Sequence, residues 1–84
     1  MRHARPHLQN AYVAPSSPTE QKIARIWADL LGIERVGIQD NFFDLGGHSL
    51  LAIQVVTRIK AEIHAEVSVA TIFEGPTVES LSRL

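Results

Sequence analysis

One serine in this sequence lies in a setting that would stabilise a phosphate. Residues 44–51 read Asp-Leu-Gly-Gly-His-Ser-Leu-Leu, so a glycine pair leads to Ser49 at the predicted start of a helix. The first N–H groups of a helix have no intrahelical partner, and the helix dipole is positive there. A phosphate attached to Ser49, or docked beside it, would lie in a favourable field. Ser49 is therefore a candidate attachment point, and equally a candidate N-cap, since serine is favoured at that position.

A hydrolase site built from Asp44, His48 and Ser49 is the other chemistry that these residue types suggest. Neighbouring His and Ser side chains at a helix start point apart, whereas the partners of a catalytic triad normally come from separate segments. The segment also lacks the second glycine of a nucleophile elbow, and no sheet is predicted to carry one. We therefore set the hydrolase interpretation aside.

The composition excludes several other classes of function. The 84 residues suffice for one domain, and 45% of them are hydrophobic, which is typical of a folded chain. Eight basic residues against nine acidic ones leave no excess of positive charge for nucleic acid. The absence of cysteine excludes disulfides and thiolate metal sites. The histidines share no face or ligand spacing, so no metal site is predicted: His3, His7, His48 and His64. No membrane span or signal peptide is apparent, and we expect a monomeric, cytoplasmic domain.

The sequence predicts a linker arm over residues 1–16, followed by a first helix. Ser17 is the expected N-cap, Pro18 the first helical residue and Glu20 the partner in a capping box. Gly32 should end the helix. The apolar residues recur with helical spacing, at Ile23, Ile26, Trp27, Leu30 and Leu31. Within the arm, Tyr12 and Val13 are candidates for docking on a neighbouring surface.

Residues 33–48 form a long connection without regular periodicity. Connections of this length inside a compact domain tend to be functional. We expect an ordered loop, held to the core by Ile33, Val36, Ile38, Phe42, Phe43 and Leu45, with a short helical turn possible near residues 40–43. Its acidic residues Asp40 and Asp44 are interpreted as solvated, like Asp29, Glu62 and Glu66 on the helices.

The second predicted helix runs from Ser49 to Ile63 and has apolar residues on two faces. At 100° per residue the core stripe comprises Ala52, Val55, Val56, Ile59 and Ile63. Leu50 and Ile53 fall instead on the polar face, close to Ser49. Single exposed apolar residues are ordinary, but two beside the unusual serine favour a patch for docking a partner.

The C-terminal third is predicted to contain a short helix followed by a last helix. Residues 67–69 alternate like a strand, but no partner strand exists in the sequence, so a helix capped by Ser68 and running to Phe73 is favoured. Gly75 and Pro76 should stop it. Thr77 then caps a last helix whose inward residues are Val78, Leu81 and Leu84. The predicted fold is all-α, with three longer helices, one short helix and a long ordered loop between the first two.

Residues 40–50, Asp-Asn-Phe-Phe-Asp-Leu-Gly-Gly-His-Ser-Leu, resemble the core motif of thiolation, or carrier, domains of modular nonribosomal peptide synthetases and hybrid polyketide synthases. Residues 12–15, 20–32 and 72–78 resemble the entry linker, first helix and closing turn of that family. The resemblance implies a non-catalytic four-helix carrier bundle over residues 17–84. It further implies that a phosphopantetheinyl transferase attaches 4′-phosphopantetheine from coenzyme A to Ser49.

The resemblance also implies which surfaces and partners are involved. Partner docking would use Phe43, Leu45, His48, Leu50 and Ile53. The carrier would take thioester-bound aminoacyl, peptidyl, acyl or polyketide intermediates between adenylation, condensation, ketosynthase, acyltransferase or thioesterase domains. The alternative from the residues alone is a helical protein-interaction module in which Ser49 is only an N-cap.

Overall fold

A computed structural model describes residues 3–6 and 11–83, and it confirms the all-helical prediction. The chain folds into α1 (Pro18–Leu31), α2 (Ser49–Ile63), α3 (Val69–Glu74) and α4 (Val78–Ser82). Helix α1 packs against α2 and α4, and α2 also packs against α3. Within these described residues, extended pairing is confined to one isolated parallel bridge between His3 and Ile33. No helix in the same residues is long and apolar enough to cross a membrane.

The predicted ends of α1 are confirmed by its caps. The Ser17 hydroxyl accepts a hydrogen bond from the Glu20 N–H at 3.1 Å, and the Glu20 carboxylate accepts one from the Ser17 N–H at 3.1 Å. At the other end Gly32 adopts the left-handed conformation with φ 70°, which glycine enters without a Cβ penalty. Ile23, Ile26 and Trp27 are buried, while the last two residues of the predicted stripe are partly buried.

The loop between α1 and α2 is ordered by its apolar residues, as predicted. Its buried members are Ile33, Val36, Ile38, Phe42 and Leu45. Phe43 is half-buried against the same core. Residues 42–46 form hydrogen-bonded turns rather than a helix, with the Leu45 N–H donating to the Asn41 carbonyl at 3.1 Å. The loop therefore behaves as part of the core and holds the residues before α2 in place.

Helix α2 has the predicted bounds but a narrower buried stripe. Ala52, Val55 and Ile59 are buried, whereas Val56 and Ile63 are half-buried and pack against the core edge. Both half-buried residues lie on the same side of the stripe when residues are placed 100° apart. Truncation of Val56 should therefore cost less than truncation of Ile59, which is 1% exposed.

The two C-terminal helices begin at the predicted caps. The Thr71 N–H donates to the Ser68 hydroxyl at 3.2 Å, and the Ser80 N–H donates to the Thr77 hydroxyl at 3.1 Å. Val78 and Leu81 are buried against the core, as expected. The prediction for Leu84 lies outside the described residues.

The N-terminal arm contacts the domain at its described residues. His3 exchanges hydrogen bonds with the Gly32 carbonyl (2.8 Å) and the Glu34 N–H (2.7 Å). The Val13 carbonyl accepts one from the Ile38 N–H at 2.9 Å. The prediction that Asp40 is solvated is wrong: Asp40 is completely buried and ion-paired with Arg5, which lies 35 positions away in sequence. The boundary at residue 17 stays a prediction.

Candidate functional site

Ser49 is the first residue of α2, and its hydroxyl is not used as a cap. The N-cap is His48, whose side chain makes no capping hydrogen bond. The first helical bond of α2 joins the Ala52 N–H to the His48 carbonyl at 2.9 Å, so the three amides before it have no intrahelical partner. The Ser49 side chain is exposed, and its hydroxyl has no hydrogen-bond partner among residues 3–6 and 11–83. This geometry removes the main support for a purely capping role.

A set of hydrogen bonds orders the loop that precedes α2. The Asn41 side-chain carbonyl accepts from the Phe43 N–H at 2.8 Å and the Asp44 N–H at 3.3 Å. The Gly46 N–H donates to the Phe43 carbonyl at 3.2 Å, and the chain reverses at Gly46 with φ 102°. Because a side chain at that φ is strained, glycine is required for the turn.

Phe42 and Gly47 lie in close contact in this loop. The Phe42 ring is fully buried, 5.0 Å from Trp27 between centroids and edge-on to it. The Phe42 N–H donates to the Pro76 carbonyl at 2.7 Å, and its own carbonyl accepts from the Gly47 N–H at 3.0 Å. A Cβ on Gly47 would lie only 2.5 Å from Phe42 Cδ2. The backbone two residues before Ser49 is thus pressed against the aromatic core.

The surface near Ser49 exposes large apolar side chains. Leu50 is 61% exposed and Ile53 is 52% exposed, which confirms their predicted position on the open face of α2. Phe73 on α3 is 50% exposed and stacks on Phe43 with a centroid distance of 5.1 Å. Phe73 was not predicted at the surface. Helical spacing could have placed it there, because a helix that buries Ile72 turns the next residue by about 100° away from the core.

The structure separates the predicted docking residues into two groups. His48, Leu50 and Ile53 are exposed, and Phe43 is half-buried, so these side chains are accessible to a partner. Leu45 is only 6% exposed and packs in the core, which agrees with its predicted role in holding the loop but leaves little of it for a partner. Its role in docking stays a prediction.

Among the residues that the structure describes, no catalytic arrangement surrounds Ser49. In the described part of the chain no base is hydrogen-bonded to its hydroxyl, and no cluster of three potential metal ligands is found. An open cleft of about 320 Å³ lies elsewhere, between the arm and α1, with Tyr12, Arg25 and Arg35 in its lining. An exposed hydroxyl at a helix start, outside that cleft, is suited to carrying a group rather than to turning over a substrate.

Known proteins match both the sequence and the fold. Residues 21–84 match the family model described as a phosphopantetheine attachment site. Tyrocidine synthase 2 of Brevibacillus parabrevis is 51% identical over 71 residues, which is 84% of this chain and 2% of that protein. One of the linear gramicidin synthase proteins of the same organism is 58% identical over 71 residues, 84% of this chain and 1% of that protein. The chain therefore spans only a small fraction of these relatives.

Solved structures with the same fold include carrier domains alone and in complexes. The peptidyl carrier protein in complex with the phosphopantetheine transferase Sfp and coenzyme A superposes with a TM-score of 0.83 at 40% identity, over 86% of this chain and 94% of that one. A peptidyl carrier domain solved in solution as a prototype for modular peptide synthetases superposes with a TM-score of 0.76 at 42% identity, over 86% and 95% of the two chains.

The helical bundle is that of a carrier domain, which is a substrate of other enzymes and has no catalytic activity itself. The chain belongs to the phosphopantetheine-attachment family. The cofactor of this family is 4′-phosphopantetheine, held covalently and derived from coenzyme A.

Proposed function

We propose that Ser49 is the attachment residue and that this domain carries thioester-bound aminoacyl and peptidyl intermediates within a nonribosomal peptide synthetase. The observation that carries the proposal is the exposed Ser49 hydroxyl, without a hydrogen-bond partner among the described residues, at the start of a 15-residue helix inside the family-matched region. The 46–58% identity to segments of gramicidin and tyrocidine synthases favours a peptide-forming parent over a polyketide or hybrid one.

The residues around Ser49 fit a phosphodiester at that hydroxyl. The oxygen is already accessible, so modification breaks no internal hydrogen bond. The amides of the first helical turn and the positive end of the α2 dipole would stabilise the added negative charge. When attached, the cofactor supplies the terminal thiol that this cysteine-free chain lacks. The ordered loop before Ser49 would hold the attachment point of the phosphopantetheine in one place while the thiol end of the cofactor moves.

The proposed partners are a phosphopantetheinyl transferase and the synthetase domains that load, extend and release the intermediate, including adenylation, condensation and thioesterase domains. Successive partners need brief contacts, and a small exposed patch such as Leu50 and Ile53 suits weak interfaces. Tethering raises the effective concentration of the intermediate at each neighbouring site. We assign this function to the cytoplasm, where coenzyme A is available to the transferase.

Intact-mass measurement tests the attachment residue. The chain is incubated with coenzyme A and a broad-specificity phosphopantetheinyl transferase, and we expect the mass of one phosphopantetheine to be added. Ser49→Ala should gain nothing, whereas the control Ser68→Ala, which removes another exposed serine at a helix start, should be modified like the wild type. An unmodified wild-type chain, or modification that persists in Ser49→Ala, would contradict the proposal.

The docking patch is tested separately from attachment. Leu50→Asp and Ile53→Asp should keep the wild-type circular dichroism, since both side chains are more than half exposed, and should slow modification of Ser49. Gln54→Asp adds the same charge at an exposed neighbouring position and serves as the control. If the two apolar variants are modified as fast as Gln54→Asp, or if they unfold, the patch has been assigned wrongly.

A further inference from the structure

The described arm residues are bonded to the loop that leads to Ser49. His3 pairs with the backbone of Gly32 and Glu34 at the start of the loop. Val13 accepts a hydrogen bond from Ile38 in its middle. Arg5 reaches Asp40, two residues before the first residue of the turn over residues 42–46. The arm therefore contacts this loop at the start of the loop, in its middle and close to the turn over residues 42–46.

The contact between Arg5 and Asp40 is the strongest of the three. Arg5 Nε donates to Asp40 Oδ2 and Nη2 donates to Oδ1, both at 2.6 Å, in the two-pronged geometry that arginine forms with carboxylates. The Arg5 side chain is 13% exposed and that of Asp40 is 0% exposed. The hydrogen bond to Asp40 raises the pKa of Arg5 above its ordinary value, so the guanidinium stays charged. A buried carboxylate needs such a cation, because its charge is otherwise costly to remove from water.

Asp40 is in turn connected to the segment that places Ser49. Its Oδ2 also accepts from the Gly37 N–H at 2.8 Å, which closes the loop on the near side. The next two residues are fixed by their own bonds, with Asn41 capping the turn and the Phe42 N–H bound to the Pro76 carbonyl. The Phe42 carbonyl and ring then hold Gly47. The path from Arg5 to the residues beside Ser49 is thus continuous in hydrogen bonds and packed atoms.

We infer that Arg5 is a positioning residue for Ser49, and that residues 3–6 act as a strap that sets the geometry of the turn before α2. When the strap is in place, Arg5 balances the charge of Asp40 and the turn over residues 42–46 has one arrangement. When Arg5 is lost, the Asp40 carboxyl loses its two-pronged cation and rearranges, and the turn rearranges with it. The functional meaning of this coupling rests on the proposed attachment at Ser49, although the coupling itself can be measured without the cofactor.

Amide resonances of the unmodified chain test the inference by nuclear magnetic resonance. In Arg5→Gln we expect the cross-peaks of Gly46, Gly47 and Ser49 to shift or broaden, while that of Ile59 in the buried face of α2 keeps its position. Arg5→Lys keeps the charge but not the two-pronged geometry, so the same peaks should move in the same direction by a smaller amount.

The matched control is Arg58→Gln, which removes another arginine ion pair, the one between α2 and Asp29 on α1 at 3.3 Å. It should leave the Gly46, Gly47 and Ser49 peaks in place. The inference is overturned if these peaks coincide with the wild type in folded Arg5→Gln, or if Arg58→Gln moves them as far.

If Arg5→Gln does not fold, folded Arg5→Lys decides the question. The same three peaks should move by its smaller amount, and wild-type positions in folded Arg5→Lys would refute the strap. Because no cofactor is used, failure of the wild type to be modified would contradict the proposed function alone, whereas unmoved peaks would contradict the strap alone.

Discussion

Gly47→Ala tests whether the packing of Phe42 against the loop determines the backbone before Ser49. The new Cβ would lie 2.5 Å from Phe42 Cδ2 and 2.7 Å from Cζ, and closer still to Cε2. The ring cannot swing away cheaply, because it is fully buried and packs edge-on against Trp27. Overpacking of this kind costs about 1–3 kcal/mol of stability. Alanine also lowers the entropy of the unfolded chain relative to glycine, which offsets about 0.4–1 kcal/mol of that cost. We expect a net loss of about 1–2 kcal/mol.

Urea denaturation followed by circular dichroism measures this loss. With a slope of about 1–3 kcal/mol per molar, the midpoint should fall by about 1 M. In a Phe42→Leu background the same substitution should cost less, because the smaller side chain leaves space, and the coupling should be about 0.5–3 kcal/mol.

Gly32→Ala is the control for Gly47→Ala. Its Cβ meets no atom within 4 Å, and its only penalty is the left-handed backbone with φ 70°. That penalty is about 1–2 kcal/mol and should be independent of residue 42. The reasoning is refuted if Gly47→Ala has the wild-type midpoint, or if its loss is the same with Phe42 and with Leu at position 42.

Two further predictions concern stability away from the loop. His64 follows the end of α2, is exposed and has a left-handed backbone with φ 63°. His64→Gly relieves this strain at little loss of contacts, so it should stabilise the domain by about 1 kcal/mol in the same urea assay. An unchanged or lower midpoint would contradict this. Backbone hydrogen bonds from Ser17 and Ser16 lower the pKa of Glu20 below its ordinary 4.5. The contribution of the Glu20 carboxylate to the free energy of unfolding is therefore present above pH 4.5 and is lost as the pH falls through the lower pKa of the folded state. Glu20→Gln should therefore show a flatter fall of melting temperature below pH 4.5 than the wild type, and parallel curves would argue against it.

The helices follow from signals that act over a few residues. The Ser17 capping box, the glycine after α1 and the threonine before α4 each satisfy donors or acceptors within four positions, so the sequence alone is enough to place those ends. The periodic stripe of α2 also identified Leu50 and Ile53 as exposed, because a regular helix fixes the direction of every side chain.

The irregular loop could not be resolved in the same way. Phe42 and Phe43 are neighbours of the same type, yet the first is fully buried and the second half-buried against Phe73. Leu45 was predicted both to hold the loop to the core and to dock a partner, and it lies in the core. Side chains in such a loop have no periodic direction, and their burial depends on which distant residues pack against them.

Local signals are enough to show that this chain is a helical domain with Ser49 at the start of its second helix, since caps, periodicity and the Gly-Gly-His-Ser motif each lie within a few residues. How Ser49 is presented depends on the folded chain. The hydroxyl is left without a hydrogen-bond partner among the described residues because His48 takes the N-cap position. The turn before it depends on contacts with residues far away in sequence, from Pro76 to Phe42 and from Arg5 to Asp40. Contacts between distant residues arise only when the chain has folded, and no spacing rule encodes them.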